Sequence, residues 1–159
     1  MPNVIVRGIE RAQAYFTNTA KAFQGPAIEN GMRRATGIVE SAAKKNLVGY
    51  KSPAVGGVDT GVTRASITSS VKSGGAQTIG IVGSPRISAA VMETGSKPHW
   101  PPLKALEGWA KRHGTTAYVV ARAISKRGNV PRKFLSKAMN STYSRVMAEL
   151  NRTVKSIIK

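Results

Sequence analysis

The triplet Asp59-Thr60-Gly61 is the first candidate for chemistry in this chain, because aspartic proteases carry their catalytic carboxylates in the same three letters. Such an enzyme needs two carboxylates close enough to share a proton, and one triplet supplies only one unless two chains pair symmetrically. Gly56-Gly57 also precedes the triplet where the enzyme would need an apolar strand. Since an aspartate in a glycine-rich loop usually forms an Asx turn or caps a helix, we interpret Asp59 as structural and keep a dimeric protease as an alternative.

The histidines His99 and His113 are the next candidates, for metal binding or proton transfer. The chain has no cysteine and only seven acidic residues, so a site with three or four ligands is hard to assemble. We therefore expect surface or capping histidines and no metal. Glu93 and Glu107 stand among positive charges, which favours salt bridges over proton transfer.

Nucleophilic serines and nucleotide-binding loops are not indicated by the sequence. No Gly-x-Ser-x-Gly segment places a serine on a strained elbow. The segment Gly80 to Gly83 lacks the third glycine and the following helix of a dinucleotide site, and no Gly-Lys-Ser/Thr phosphate loop occurs. The sequence thus predicts no catalytic residue and no cofactor, and we expect a protein that is not an enzyme.

The charge is strongly positive and unevenly distributed. With 25 basic and seven acidic residues, the formal net charge is +18 at pH 7, which implies self-repulsion unless an acidic partner relieves it. One stretch carries basic residues with no acid between them, namely Arg122, Lys126, Arg127, Arg132, Lys133 and Lys137. These residues form either a solvated helix face, a contact for nucleic-acid phosphates or a contact for an acidic protein rim.

A site for single-stranded nucleic acid would also need aromatic side chains among the basic ones. Near the basic run these are Tyr118, Phe134 and Tyr143, each of which the spacing also allows in a core. No sequence-reading helix-turn-helix is evident either. As an alternative function, the sequence supports a basic protein that binds duplex phosphates nonspecifically.

The apolar pattern predicts an α+β fold in a single domain over 1–159. Apolar residues recur every three or four positions over 5–23 and from Pro26 to about Leu47, which predicts two helices packed as a hairpin or an elbow. The predicted segments are a helix pair over 1–48, a flexible loop over 49–61, a β region over 62–97 and a helical region over 102–159.

The β region is predicted from two short extended stretches. Alternation from Ile67 to Val71 and a β-branched run from Thr78 to Val82, with a turn at Gly74-Gly75, predict a small antiparallel hairpin. A third extended segment is predicted over Ile87 to Glu93, before the proline-rich corner.

Prolines and glycines divide the C-terminal part into helices. Pro102 can start a short helix, and Thr115 or Thr116 can cap another over Ala117 to Lys126. Apolar spacing from Leu135 to Ile157 predicts a long final helix of about 25 residues.

Neither a membrane contact nor a secretion signal is expected. The longest apolar run, Ala117 to Ala121, is five residues long, where a bilayer crossing needs about 20. Residues 1–10 include Arg7 and Glu10 and lack an apolar block of signal-peptide length.

Four segments occur in an order and spacing that together carry a resemblance to a known family. They are Val58-Asp59-Thr60-Gly61 followed by Arg64, Ser66 and Ile67; Glu93-Thr94-Gly95-Ser96; the corner from Pro98 to Pro102; and Pro131 to Leu135 with Ala138. With them the chain resembles, over nearly its whole length, the neck and tail-component family of long-tailed bacteriophages. Ser96 stands where that family usually has threonine.

The resemblance implies a structural virion protein that helps join or complete the tail at the head-tail junction. It implies assembly into a ring, for which six copies is one arrangement, and contact with neighbouring connector or head-closure and tail-terminator or tail-tube proteins. Nonspecific contact with packaged DNA stays open. The implied location is the virion, with assembly in the host cytoplasm.

In this interpretation the motif residues are structural pins, namely Asp59, Thr60, Gly61, Arg64, Ser66, Glu93 and Gly95. We expect the Asp59 carboxylate to accept amide hydrogen bonds in its own turn and Arg64 to pair with Glu93. The docking surfaces would be the loop over 49–61 and the basic segment from Arg122 to Lys137.

Overall fold

The structure, a computed structural model, describes residues 9–23, 25–48, 59–74 and 77–158. Its elements in chain order are α1 (Ile9–Phe23), α2 (Pro26–Val48), α3 (Val62–Ala65), β1 (Thr68–Gly74), β2 (Gln77–Gly83), α4 (Ile87–Thr94), α5 (Leu103–Arg112), α6 (Ala117–Arg127) and α7 (Phe134–Ile158). Helices and a two-stranded antiparallel sheet together make the α+β fold that the sequence predicts.

The N-terminal helices α1 and α2 are joined as a bent helix, the elbow of the two expected arrangements. At the joint, the Gly25 amide donates to the Ala22 carbonyl at 3.2 Å, and Pro26 then begins α2. Proline suits this position because the first amides of a helix have no acceptor within it. Residues 5–8 of the predicted first helix, and residues 49–58 of the predicted loop, lie outside the described residues.

The two predicted antiparallel strands are confirmed as β1 and β2. Gly75 of the predicted turn lies outside the described residues. Exposure alternates along each strand, so that Val71 and Thr78 are half-buried. The opposite face of β2 carries Ile79 and Ile81, which are 51% and 42% exposed. The hairpin therefore presents two large apolar side chains to solvent.

The predicted third extended segment over Ile87 to Glu93 is wrong, because these residues form the helix α4. Its alanines, methionine and glutamate favour a helix, and tertiary burial does not impose a strand, since Ala89 is the buried residue of α4 while Ile87 is 84% exposed. The helix ends at Gly95, whose amide donates to the Val91 carbonyl at 2.8 Å.

The three predicted C-terminal helices are confirmed as α5, α6 and α7. Pro102 precedes α5, and the Thr116 hydroxyl caps α6 by accepting from the Val119 amide at 3.4 Å. The last helix, α7, has 25 residues, the length that its apolar spacing predicts.

The chain divides into two compact units. Unit 1 comprises 1–38, 69–81 and 143–159. Within it, Gly31 of α2 lies against Thr153 of α7 so closely that a Cβ on Gly31 would come 2.3 Å from the Thr153 Oγ1. Nearby, the buried Glu149 carboxylate accepts from Arg34 and from Arg152, and the Arg34 hydrogen bond is the main reason why the pKa of Glu149 is lowered.

Unit 2 comprises 39–68 and 82–142. Its largest fully buried side chains are Ile67 and Phe134, and Asn46 of α2 donates to the Phe134 carbonyl at 3.0 Å. The other buried apolar residues described in this unit are mostly small, namely Val39, Ala43, Leu47, Ala89, Ala110, Ala121 and Ala138. All the motif residues of the sequence analysis belong to unit 2.

Candidate functional site

Asp59 is bound by Arg112, the last residue of α5. The Arg112 Nε donates to the two carboxylate oxygens at 2.9 and 3.1 Å, and Nη2 donates to Oδ2. Within the described ranges Arg112 therefore takes the place that the sequence analysis gave to amides of the turn. The Arg112 hydrogen bonds lower the pKa of Asp59; partial desolvation opposes them, and the charges of Arg112 and His113 add to the lowering. A carboxylate held ionised in this way is suited to a structural pair rather than to sharing a proton.

The segment after Asp59 folds into the short helix α3, which the sequence analysis did not predict. Gly61 precedes it with φ of 75°. The Ser66 hydroxyl then donates to the Thr63 carbonyl at 2.8 Å and lies 2.8 Å from the Ser84 hydroxyl. The motif serine thus ties the end of α3 to the segment that follows β2. Arg64 lies on α3 and is exposed.

Glu93 caps the N-terminus of α7. Its carboxylate accepts from the amides of Leu135 and Ser136, at 2.8 and 2.9 Å, and from the Ser136 hydroxyl. Burial acts to raise the pKa of Glu93, but these hydrogen bonds outweigh it and hold the pKa below its ordinary value. A carboxylate suits this position because the first amides of a helix are unpaired donors with a partial positive charge.

The expected pair between Arg64 and Glu93 does not form among the described residues, because the cap of α7 occupies the Glu93 carboxylate. The expected salt bridges of Glu93 and Glu107 are also absent from the ion pairs of the described ranges. The Glu93 carboxylate binds the amides at the start of α7 instead of the cationic side chain that the sequence analysis expected.

The Glu93-to-Ser96 motif and the segment before α7 are joined by backbone hydrogen bonds. Ser96 and Asn129 form an antiparallel bridge, with N to O distances of 3.0 and 3.1 Å, and the Arg132 amide donates to the Met92 carbonyl at 2.7 Å. Gly95, with φ of 75°, lies so close that a Cβ on it would come 2.5 Å from the Asn129 carbonyl oxygen. Two of the motif segments therefore form one connected piece of structure.

Among the cavities lined by described residues of unit 2, two share Met92, Trp109 and Arg132 in their walls. The first, of about 190 Å³, is lined by motif residues and by their neighbours in space, among them Asp59, Gly61, Arg64, Met92, Trp109 and Arg132. The second, of about 380 Å³, is lined mainly by apolar residues of α4, α5 and α6, with Arg127 and Arg132 also at its wall. The Asp59 carboxylate at the wall of the first cavity is the one that Arg112 binds.

The structure places the basic residues from Arg122 to Lys137 in different surroundings. Arg122 and Lys126 are exposed on α6, whereas Arg127 and Arg132 both line the larger cavity. Lys133 precedes α7 with a φ of 52° and Lys137 lies in its first turn. The sequence predicts the individual positive charges; it does not reveal that two of them share the wall of a cavity.

The histidines occupy exposed positions that agree with the prediction. The His99 Nδ1 lies 2.8 Å from the Lys97 carbonyl, and the His113 Nδ1 lies 2.9 Å from the Trp109 carbonyl at the end of α5. Within the described ranges no cluster of three or more histidine, cysteine or acidic residues could hold a metal ion.

The sequence analysis did not predict the contacts of several residues in this region. Arg112 is one of 25 basic residues, and no local signal marks it as the partner of Asp59. Trp109 stacks on His113 with ring centroids 4.0 Å apart, a contact that their spacing of one helical turn could have suggested. Trp100 packs edge-to-face on Tyr118, and these two lie in different predicted segments.

No protein-family model, no curated protein and no solved structure matches this chain. Among the helices of the described ranges, none combines the length and the apolar character that crossing a bilayer requires.

Proposed function

We propose that this chain is a structural, non-enzymatic virion protein of the head-tail junction of a long-tailed phage. In this role it forms a ring with further copies of itself, and the ring joins or completes the tail by contacting the neighbouring connector and tail proteins. The proposal starts from the order of the sequence motifs that resemble the neck and tail-component family.

The observation that carries the proposal is how the motif residues are used. Glu93 caps α7, Asp59 pairs with Arg112, and Ser96 bridges to Asn129. All these contacts hold one part of the chain to another, as expected of residues that keep an assembly subunit rigid.

The exposed face of the hairpin supports an assembly role independently of the motifs. Ile79 and Ile81 are adjacent on one face of β2 and about half exposed. Grouped apolar side chains on a surface are commonly covered by a partner. In a ring, such a face would be buried between neighbouring subunits.

The proposal is tested by deleting the gene from the phage or prophage genome that encodes the chain and supplying it in trans. We expect electron micrographs of the deletion lysate to show filled heads and separate tails, and complementation to restore joined particles. Joined, infectious particles in the absence of this polypeptide would overturn the proposal.

A second candidate function is nonspecific binding of duplex DNA. It is favoured by five exposed basic residues that belong to none of the ion pairs of the described residues, namely Arg122, Lys126, Arg127, Lys133 and Lys137. Titration of a duplex at two salt concentrations tests it, because phosphate binding must weaken steeply with salt. Absence of binding at low salt would exclude this function.

A further inference from the structure

Trp100 and Tyr118 form an aromatic pair on the surface of unit 2. Their ring centroids are 5.7 Å apart with an interplanar angle of 63°, an edge-to-face arrangement. Trp100 is 51% exposed and Tyr118 is 56% exposed. Two large rings held in a fixed relation and still open to solvent are suited to binding a planar group.

Basic side chains continue from this pair along α6. Arg122 lies one helical turn after Tyr118, and Lys126 lies one turn further; both are exposed. Residues four apart are neighbours on a helix surface, with a rise of about 6 Å between them. The aromatic pair and the two cations thus form one continuous surface, which we term the aromatic-basic face.

The chain itself has little acid with which to neutralise this face. Of its seven acidic residues, five bind other groups: Glu29, Glu40, Asp59 and Glu149 pair with basic side chains, and Glu93 caps α7. A second copy of the chain would therefore bring mainly further positive charge. The complementary partner is an anion of another kind.

We propose that the aromatic-basic face, formed by Trp100, Tyr118, Arg122 and Lys126, binds single-stranded nucleic acid. Phosphates contact Arg122 and Lys126, and unpaired bases stack on Trp100 and Tyr118. A single strand repeats a phosphate and an open ring face in every unit, so it satisfies both halves of the surface. Duplex DNA hides its base faces, and an acidic peptide engages the cations but leaves the rings uncovered. This inference does not depend on the ring-forming role.

The test is fluorescence anisotropy of the full chain with a labelled oligothymidylate at two salt concentrations. We expect tighter binding to the single strand than to a duplex of equal length. Trp100→Ala or Tyr118→Ala should weaken binding at least about fivefold. The matched control is Tyr143→Ala, because Tyr143 has the same exposed fraction as Tyr118, 56%, but lies on α7 in unit 1; it should leave binding unchanged.

Charge variants test the other half of the face. Arg122→Gln with Lys126→Gln should reduce the slope of log affinity against log salt by about 0.7 for each cation that contacts a phosphate. Arg145→Gln with Lys155→Gln, two exposed basic residues of α7, should leave the slope nearly unchanged. Oligouridylate in place of oligothymidylate then distinguishes RNA from DNA as the preferred strand.

A direct spectroscopic readout uses the chain's two tryptophans. In Trp109→Phe the remaining tryptophan is Trp100, and its emission should be quenched when the oligothymidylate binds. The inference is overturned if the duplex binds as tightly as the single strand, if Trp100→Ala behaves like Tyr143→Ala, or if polyglutamate competes as well as the oligonucleotide does.

Discussion

Glu93 and Ser136 lie 43 residues apart in the sequence and are joined by two hydrogen bonds to one carboxylate oxygen, from the Ser136 amide and from its hydroxyl. The second carboxylate oxygen accepts from the Leu135 amide. The end of α4 is thereby fixed to the start of the longest helix. A carboxylate bound at a helix N-terminus, which favours negative charge, here holds together two segments that are distant in the sequence.

Removing the cap should destabilise the fold. We expect Glu93→Ala to lower the free energy of unfolding by about 1–2 kcal/mol, the usual effect of losing an N-cap. Urea unfolding followed by circular dichroism measures it. The control is Glu107→Ala, an exposed glutamate of α5, which should stay within about 0.5 kcal/mol of the wild type. Equal losses for the two variants would contradict the assigned role of Glu93.

The same carboxylates should make stability depend on pH. The pKa values of Glu93, Asp59 and Glu149 are lowered in the folded chain, so between the folded and unfolded values the unfolded state binds more protons. Their contribution is complete above the ordinary carboxyl pKa, about 4, and is lost as pH falls through the lowered values. Unfolding free energies measured from pH 7 to pH 3 should fall, and Glu93→Ala should show a shallower fall than the wild type.

The bidentate pair of Asp59 and Arg112 should behave as one unit. Asp59→Asn and Arg112→Gln should each lower the urea midpoint, and the double variant should be less destabilised than the sum of the two. Arg112→Lys keeps the charge but loses the forked geometry, so it should recover only part of the wild-type midpoint. Strict additivity would show that the two side chains do not stabilise each other.

Two glycines with opposite surroundings give a matched pair of substitutions. Gly95→Ala combines a φ of 75° with a Cβ position 2.5 Å from the Asn129 carbonyl oxygen, and should cost more than about 1 kcal/mol. Gly37 lies inside α2, and an added Cβ would meet no atom within 4 Å apart from its chain neighbours and the adjacent backbone of its own helix. Gly37→Ala should therefore stabilise by up to about 1 kcal/mol. Thermal unfolding of both variants checks the signs, and a stable Gly95→Ala would show that the bridge to Asn129 is dispensable.

The exposed hairpin isoleucines should matter for assembly and little for folding. We expect Ile79→Ser with Ile81→Ser to keep the wild-type circular dichroism spectrum and to fail to restore joined particles to the deletion lysate. Ile158→Ser is the control, because Ile158 is also about half exposed, at 48%, but lies at the end of α7. If the hairpin variant complements as well as the control, this face is not an interface.

The elements that the sequence predicts correctly are those with strong local signals. Pro26 and Pro102 mark helix starts through their backbone geometry and Thr116 through its capping hydroxyl. The apolar spacing of the last helix continues over nearly the whole of α7. The segment over Ile87 to Glu93 was predicted wrongly as extended, because the periodicity of so short an apolar stretch does not distinguish a strand from a helix. Its alanines, methionine and glutamate are the signal that favours the helix.

Local sequence patterns do not reveal which groups bind the carboxylates of Asp59 and Glu93. The sequence analysis interpreted Asp59 and Glu93 as structural residues, but it did not find the groups that bind their carboxylates. Arg112 is 53 residues from Asp59. Because the chain has 25 basic residues, nothing in the sequence distinguishes Arg112 as the one that binds Asp59. The Glu93 cap depends on where the chain returns after α6, which is set by the bridge between Ser96 and Asn129 and not by charge spacing.

The proposed function assigns this chain to a long-tailed phage, and its most direct test is cryo-electron microscopy of intact particles of that phage. The proposed function predicts density for the chain, recognisable by the 25-residue helix α7, repeated around the axis at the head-tail junction. A completely traced junction in which no density fits this polypeptide would contradict it.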